Sequence, residues 1–203
     1  MFVQVIEGKV RDADLLARQS ERWIREIKPG VKGYLGSTTG VTPDGHAITI
    51  ARFESQQAAA KNSESAQQSA WWNETAKAYD GDPTFRESTE VDTLFGGGSN
   101  DAGFVQVIQG RLSDPERFRH MMEGPMDTLH EARPDIIGGT IAVDADGFFT
   151  QTMAFRTEDA AREGEQKSPP PETQAEMDEM MALMSDVSYH DLHHPWFATA
   201  GAH

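Results

Sequence analysis

The word FVQVIEG at residues 2–8 returns at residues 104–110 as FVQVIQG, with six of seven letters unchanged and a shift of 102 in a chain of 203 residues. Self-similarity over half a chain means that one folding unit is used twice. The same shift joins Gly36 to Gly138, Thr38 to Thr140, Val41 to Val143, Phe53 to Phe155, and the pair Asp44-Gly45 to Asp146-Gly147. Ala58-Ala59 matches Ala160-Ala161 in the same way, whereas Pro29 and Pro134 are 105 apart. The second copy therefore has three extra residues in its first helix and recovers them in the following loop.

Each copy has the same order of elements. FVQVIEGKV is rich in β-branched residues and apolar on both faces, as in a covered strand. Asp12 then caps a helix with the stripe Leu16, Ser20, Trp23, Ile27, and Asp114-Pro115 starts its counterpart, with the stripe Phe118, Met122, Pro125, Leu129. Gly124-Pro125 predicts a kink in that helix. Two strands joined at Asp-Gly follow in each copy, a hairpin signal. They are GYLGSTTGV and HAITIARF in the first copy, IIGGTIAV and FFTQTMAF in the second. A second helical region runs from Ser55 to about Tyr79, with a restart at Ser65. Its counterpart runs from about Thr157 to Met184, broken at Pro169-Pro170-Pro171. A short strand closes each copy, near Thr89–Leu94 and near Val187–Asp191.

The order β-α-β-β-α-β, twice, is that of the ferredoxin-like unit. The expected class is α+β, with residues 1–95 as repeat one, a Gly-rich linker over 96–103, and residues 104–203 as repeat two. Each unit should hold a four-stranded antiparallel sheet with two helices on one face. The other face carries apolar residues and needs a cover. A second sheet from the same chain is the natural one, so the two sheets are expected to pack into a barrel.

With these features the sequence resembles the dimeric α+β barrel superfamily, and within it the proteins related to antibiotic-biosynthesis monooxygenases. The resemblance rests on FVQVIEG/FVQVIQG, on the element order, and on the run FES…AWWNETAKAY…FRESTEVD (Phe53–Asp92). It implies a tandem version of a barrel otherwise built from two chains. It further implies a monooxygenase that needs no cofactor and acts on an aromatic or polycyclic substrate, which reduces oxygen itself once deprotonated. A non-catalytic small-molecule-binding or stress-associated protein of the same fold is the alternative. Haem-degrading relatives place a His shortly after a Trp on the second helix. Residues 73–89 contain none, so haem is not carried over.

Bulk composition narrows the partners. A net charge of −15 repels phosphate backbones and anionic lipid, so neither nucleic acid nor membrane is expected as a partner. There is no cysteine, hence no thiolate chemistry. No apolar run is long enough to cross a bilayer and no leader is evident, so a cytoplasmic protein is expected. Exposed edge strands make a homodimer plausible.

The candidate residues follow from pattern. Gln4 and Gln106 interrupt apolar strands at equivalent places, either as a hydrogen-bonded clasp across the two sheets or as the polar lining of a pocket. Trp71 and Trp72 are adjacent on a helix, about 100° apart, so Trp72 is expected in the core and Trp71 either lining a cleft or half-exposed. Eight of the nine methionines lie in the second copy, and Met122 and Met181 stand for two stripes that either fill a core or wall a pocket for a flat apolar ligand. His46 and His130 are the candidate proton acceptors. The run YHDLHHPWF places His190, Asp191, His193 and His194 close together. It reads as a strand running into a loop, so no metal is expected.

Overall fold

The computed structural model describes residues 1–97, 100–122, 130–167 and 171–199. In the first repeat, β1 (Phe2–Lys9) leads to α1 (Ala13–Arg22), β2 (Tyr34–Val41), β3 (His46–Phe53), α2 (Gln56–Ser63), α3 (Ala66–Thr75) and β4 (Thr84–Ser88). Next comes β5 (Glu90–Leu94). The second repeat runs β6 (Phe104–Leu112), α4 (Pro115–Met122), β7 (Ile136–Val143), β8 (Phe148–Phe155), α5 (Glu158–Glu165), α6 (Pro171–Ala182) and β9 (Met184–Leu192), followed by β10 (Trp196–Thr199).

The chain forms two α+β units with two antiparallel sheets, each ferredoxin-like. Their strand orders are β10-β2-β3-β1-β4 and β5-β7-β8-β6-β9. Each sheet thus has five strands, not the four expected. The fifth strand comes from elsewhere in the chain. β5 follows the first repeat yet pairs with β7, and β10 follows the second repeat yet pairs with β2. The strand that closes the first repeat is therefore Thr84–Ser88 on β1, while Glu90–Leu94 serves the other sheet. By contacts the units comprise residues 1–90 with 194–203, and residues 91–193.

Local signals explain the elements. Asp12 accepts the amide of Leu15 at the start of α1, and Ser65 accepts that of Gln68 at the restart of α3. The turns at Asp44-Gly45 and Asp146-Gly147 put their glycines at φ of +80° and +74°, which only glycine adopts without strain. The expected kink at Gly124-Pro125, and Met126, Leu129, Pro169 and Pro170, lie outside the described residues.

Both faces of β1 are covered, as its apolar word requires. Phe2, Val3 and Val5 are buried, each contributing roughly 1.5–3 kcal/mol by removal from water. In the first unit Gln4 and Ile6 point to the helices, and Val3, Val5, Ile48, Ile50 and Arg52 point to the other face.

Candidate functional site: an aromatic cavity in the first unit

The helix side of the first sheet does not close completely. Between it and α1 and α3 lies a cavity of about 90 Å³. By the same measure one water needs about 10–15 Å³, so there is room for more than a single water. Its floor is Thr49, Ala51 and Phe53 of β3, with Gln4 and Ile6 of β1 and Tyr34, Ser37 and Thr39 of β2. Helical residues form the roof, among them Leu16, Trp23, Trp71 and Trp72. Trp196, Phe197 and Ala198 of β10 supply a side wall.

Two backbone irregularities aim these side chains. The helix after α1 widens into a π-turn at Trp23–Ile27, and both Trp23 and Ile24 line the cavity. A bulge between Tyr34 and Gly36 puts Tyr34 and Ser37 on one face, where the Tyr34 hydroxyl lies 2.7 Å from Ser37 Oγ. Gly36 has φ of +138°, and a Cβ there would meet the Ala198 carbonyl oxygen at 3.1 Å. Glycine at this position lets β10 dock.

The aromatic rings form a chain of edge-on and tilted contacts. Trp23 packs on Tyr34 at 4.9 Å between ring centres and on Trp71 at 6.4 Å, while Trp72 packs edge-on against Phe85 at 5.2 Å. The indole N–H groups are already used within the protein. Trp23 Nε1 donates to Gln68 Oε1 at 2.8 Å, and Trp71 Nε1 donates to the Gln19 carbonyl at 2.7 Å. These bonds fix the rings as walls rather than as ligand donors.

Among the described residues lining the cavity there is no Asp, Glu, Lys, Arg or His. Its two ionisable groups are Tyr34 and Tyr79, and burial pushes both phenols up to about 12. They are neutral hydroxyls at physiological pH. The cavity is thus uncharged, apolar on most sides, and furnished with neutral polar groups at Gln4, Tyr34, Ser37, Asn62 and Gln68.

The structure brings Gln4, Trp71 and Trp72 together in this cavity. Both tryptophans are half-buried; Trp71 lines the cavity, and Trp72 lines it too while packing against the core of Leu16, Ala47, Ala78 and Tyr79. His46 starts β3 and is not among the lining residues; its backbone N–H donates to Thr42 Oγ1. His130 belongs to the second unit, is exposed, and packs tilted against Phe95 at 4.6 Å between ring centres. Neither histidine stands where it would take a proton from a ligand in the cavity.

Gln106, Met122 and Met181 also belong to the second unit. Met122 packs with Met180 against the core of Leu112, Phe118, Ile141 and Phe149, whereas Met181 is 61% exposed. Gln4 and Gln106 each hydrogen-bond within their own unit. Gln4 Nε2 donates to Glu87 at 3.2 Å, on the adjacent strand of its own sheet. Gln106 Nε2 donates to Asp191 at 3.2 Å on its own neighbouring strand, and to Glu165 at 3.1 Å. Asp191 in turn binds Arg162, and this contact raises the guanidinium's pKa. His193 pairs with Glu158 at 2.9 Å. The acidic and imidazole groups of the C-terminal run are thereby spread over separate partners, and no group of metal-ligating side chains occurs among the described residues.

The sequence reading missed Trp23, Trp196, Tyr34 and the β3 floor. The signal that finds them lies in the repeat itself. All four tryptophans of the chain line one cavity, and the second unit has none.

No known protein family and no curated protein matches the sequence. Among solved structures, a putative monooxygenase from Lactobacillus acidophilus NCFM is similar, with a TM-score of 0.75 at 15% identity, covering 99% of this chain and 97% of that one. An anthrone oxidase-like protein gives 0.67 at 10% identity over 99% and 94%. A ferredoxin-fold protein related to antibiotic biosynthesis monooxygenases, from Listeria monocytogenes 4b F2365, gives 0.51 at 10% over 96% and 95%. No helix among the described residues is long and apolar enough to cross a membrane. Along its whole length the chain has the tandem ferredoxin-like fold of these monooxygenase-like proteins.

Proposed function

We propose that the chain is a small-molecule enzyme that oxygenates a neutral aromatic or polycyclic substrate without a cofactor. The observation that carries this is the uncharged cavity walled by all four tryptophans. Flat aromatic ligands gain from burial against such walls, and a charged ligand would lose its hydration with no counter-charge in return. The similarity to an anthrone oxidase-like protein supports the same class.

The chemistry asked of the protein is modest. A ring methylene of an electron-rich substrate becomes a carbonyl. One atom of O2 is retained, the other leaves as water, and the substrate supplies all four electrons. The protein orients the substrate and keeps bulk water from the reduced-oxygen intermediate. In this reading Gln4, Tyr34 and Ser37 hydrogen-bond substrate oxygens, with Trp71 and Trp72 as walls.

One observation favours the second reading, a binding protein without catalysis. The cavity holds no group that ionises near neutral pH, so a substrate proton must leave to water. Oxygen uptake with a panel of anthrones and hydroquinones separates the two. Turnover above the uncatalysed rate supports the enzyme. Tight binding with no oxygen consumed across the panel establishes the binding protein.

A further inference from the structure

The two repeats present equivalent floors to their helices, and the floors differ in one consistent way. In the first sheet, Gly8 pairs with Ala47, Ile6 with Thr49, and Gln4 with Ala51. In the second, Gly110 pairs with Phe149, Ile108 with Gln151, and Gln106 with Met153. At three successive helix-facing positions of the third strand of each repeat, a small residue in the first copy corresponds to a large one in the second. The flanking positions, Phe53 and Phe155, are the same.

Two of the large residues fill space on the helix side of the sheet. Phe149 is fully buried and stacks on Phe118 of α4 at 6.4 Å. Met153 packs against Phe104, Ile136, Phe155 and Ala161. Beside it, Gln106 is tied to Glu165 and Asp191, and Arg162 binds both carboxylates while its guanidinium lies 5.3 Å over the Phe104 ring. In the first unit Gln4 has one such bond, to an exposed carboxylate, and the space above Thr49 and Ala51 is the cavity.

Resting on the aromatic-ligand reading above, we infer that the chain takes one ligand, in its first unit, and that Ala51 and Thr49 decide this by leaving the floor low. The second unit is the same site filled by Phe149, Gln151 and Met153. Duplication has kept two scaffolds and one binding cavity. Extending Ala51 to methionine places three more heavy atoms in the space a ring would occupy. Interiors at crystal-like density cannot absorb that insertion without displacing a ligand.

The test is a titration with 1,8-dihydroxyanthraquinone, a stable flat probe, read by tryptophan fluorescence and by equilibrium dialysis. Since every tryptophan lines the cavity, quenching reports its occupancy. The wild-type chain is expected to bind one equivalent. A51M is expected to bind at least tenfold more weakly, and T49Q, which carries the second copy's residue, is the companion if A51M unfolds. M153A is expected to leave the first site's affinity unchanged. Two equivalents per wild-type chain, or full affinity in a folded A51M or T49Q, overturns the inference.

Xenon under pressure, located in crystals, tests the cavity without regard to ligand class. Xenon in the first unit alone, and lost in A51M, upholds the single site even when no anthraquinone binds. In that case it is the aromatic-ligand reading that fails. Xenon in both units overturns the single site.

Discussion

The amide of Gln4 reaches the carboxylate of Glu87 at 3.2 Å across β1 and β4, and Gln106 repeats the bond to Asp191 across β6 and β9. Pseudo-symmetry preserves the hydrogen bond while its surroundings diverge. The Gln4 bond is exposed and its residue lines the cavity, whereas Gln106 is 7% exposed and also holds Glu165. Q4L is therefore expected to change stability by less than about 1 kcal/mol, because water can replace the lost partner. Its effect should fall on ligand affinity. Q106L removes two charge-assisted hydrogen bonds from a part-buried network, although Arg162 still holds both carboxylates, and is expected to cost about 1–3 kcal/mol. Urea unfolding of both variants, beside their anthraquinone affinities, checks the reversal.

Much of this fold was legible in the sequence because its signals are local. Runs of β-branched apolar residues, Asp-Gly turns and the caps at Asp12 and Ser65 each act within a few residues. The partners of β5 and β10 were not legible. Glu90–Leu94 and Trp196–Thr199 are short strands, and nothing within five residues encodes which sheet edge they meet. The partners of the C-terminal run were not legible for a related reason. His193 and Asp191 are neighbours in sequence, yet their partners Glu158 and Arg162 lie on a helix about thirty residues upstream. The cavity was half legible. Trp71 and Trp72 stood out as a pair, but Trp23 and Trp196 join them only through the packing of α1 and the docking of β10. Comparing the repeats position by position would have exposed Ala47, Thr49 and Ala51 as the small set.

Arg52 sits on the sheet face away from the cavity and is buried, with Nη1 donating to Thr38 Oγ1 at 3.2 Å. Its Nε and Nη2 atoms are buried without a partner, and burial pulls the guanidinium down to about 10. The group remains charged at neutral pH, so the full cost of burying it is present there. That cost is relieved only as pH rises through 10 toward the unfolded value. R52M keeps the length and removes the charge. It is expected to raise stability by about 1–3 kcal/mol, in contrast to most core substitutions. A rise in denaturation midpoint without a change in the slope of the urea transition is the result to look for.

Tyr34 and Tyr79 make an alkaline limit. Their folded pKa values of about 12 lie above the ordinary tyrosine value of about 10, because burial disfavours the phenolate. Between those values the unfolded chain loses protons that the folded chain keeps. Stability should therefore be unaffected below pH 10 by these groups and fall as pH rises from 10 to 12. Absorbance of the phenolate should show two tyrosines ionising late, and Y34F should remove one of them. Y34F also removes the hydroxyl that contacts Ser37, so its ligand affinity is expected to drop several-fold without loss of the fold.

The cavity depends on the last strand of the chain. β10 pairs with β2 through Trp196–Thr39, Phe197–Thr38, Ala198–Ser37 and Thr199–Gly36. Lys28 Nζ donates to the Thr199 carbonyl at 2.9 Å and adds a tether. Ending the chain after His193 removes a cavity wall and leaves β2 as an open edge. Loss of the buried Ala198, of the half-buried Trp196 and Phe197 and of the ladder is expected to cost on the order of 2–4 kcal/mol. The emission of Trp23 and Trp71 should move to longer wavelength as water enters. Anthraquinone affinity should fall more than tenfold, and the open edge should promote association visible by light scattering. W196A separates the wall from the strand, since it keeps the backbone pairing. It is expected to weaken the ligand while leaving the chain monodisperse. A truncated chain that binds as tightly as the full one would mean that β10 is a structural edge cover and no part of the site.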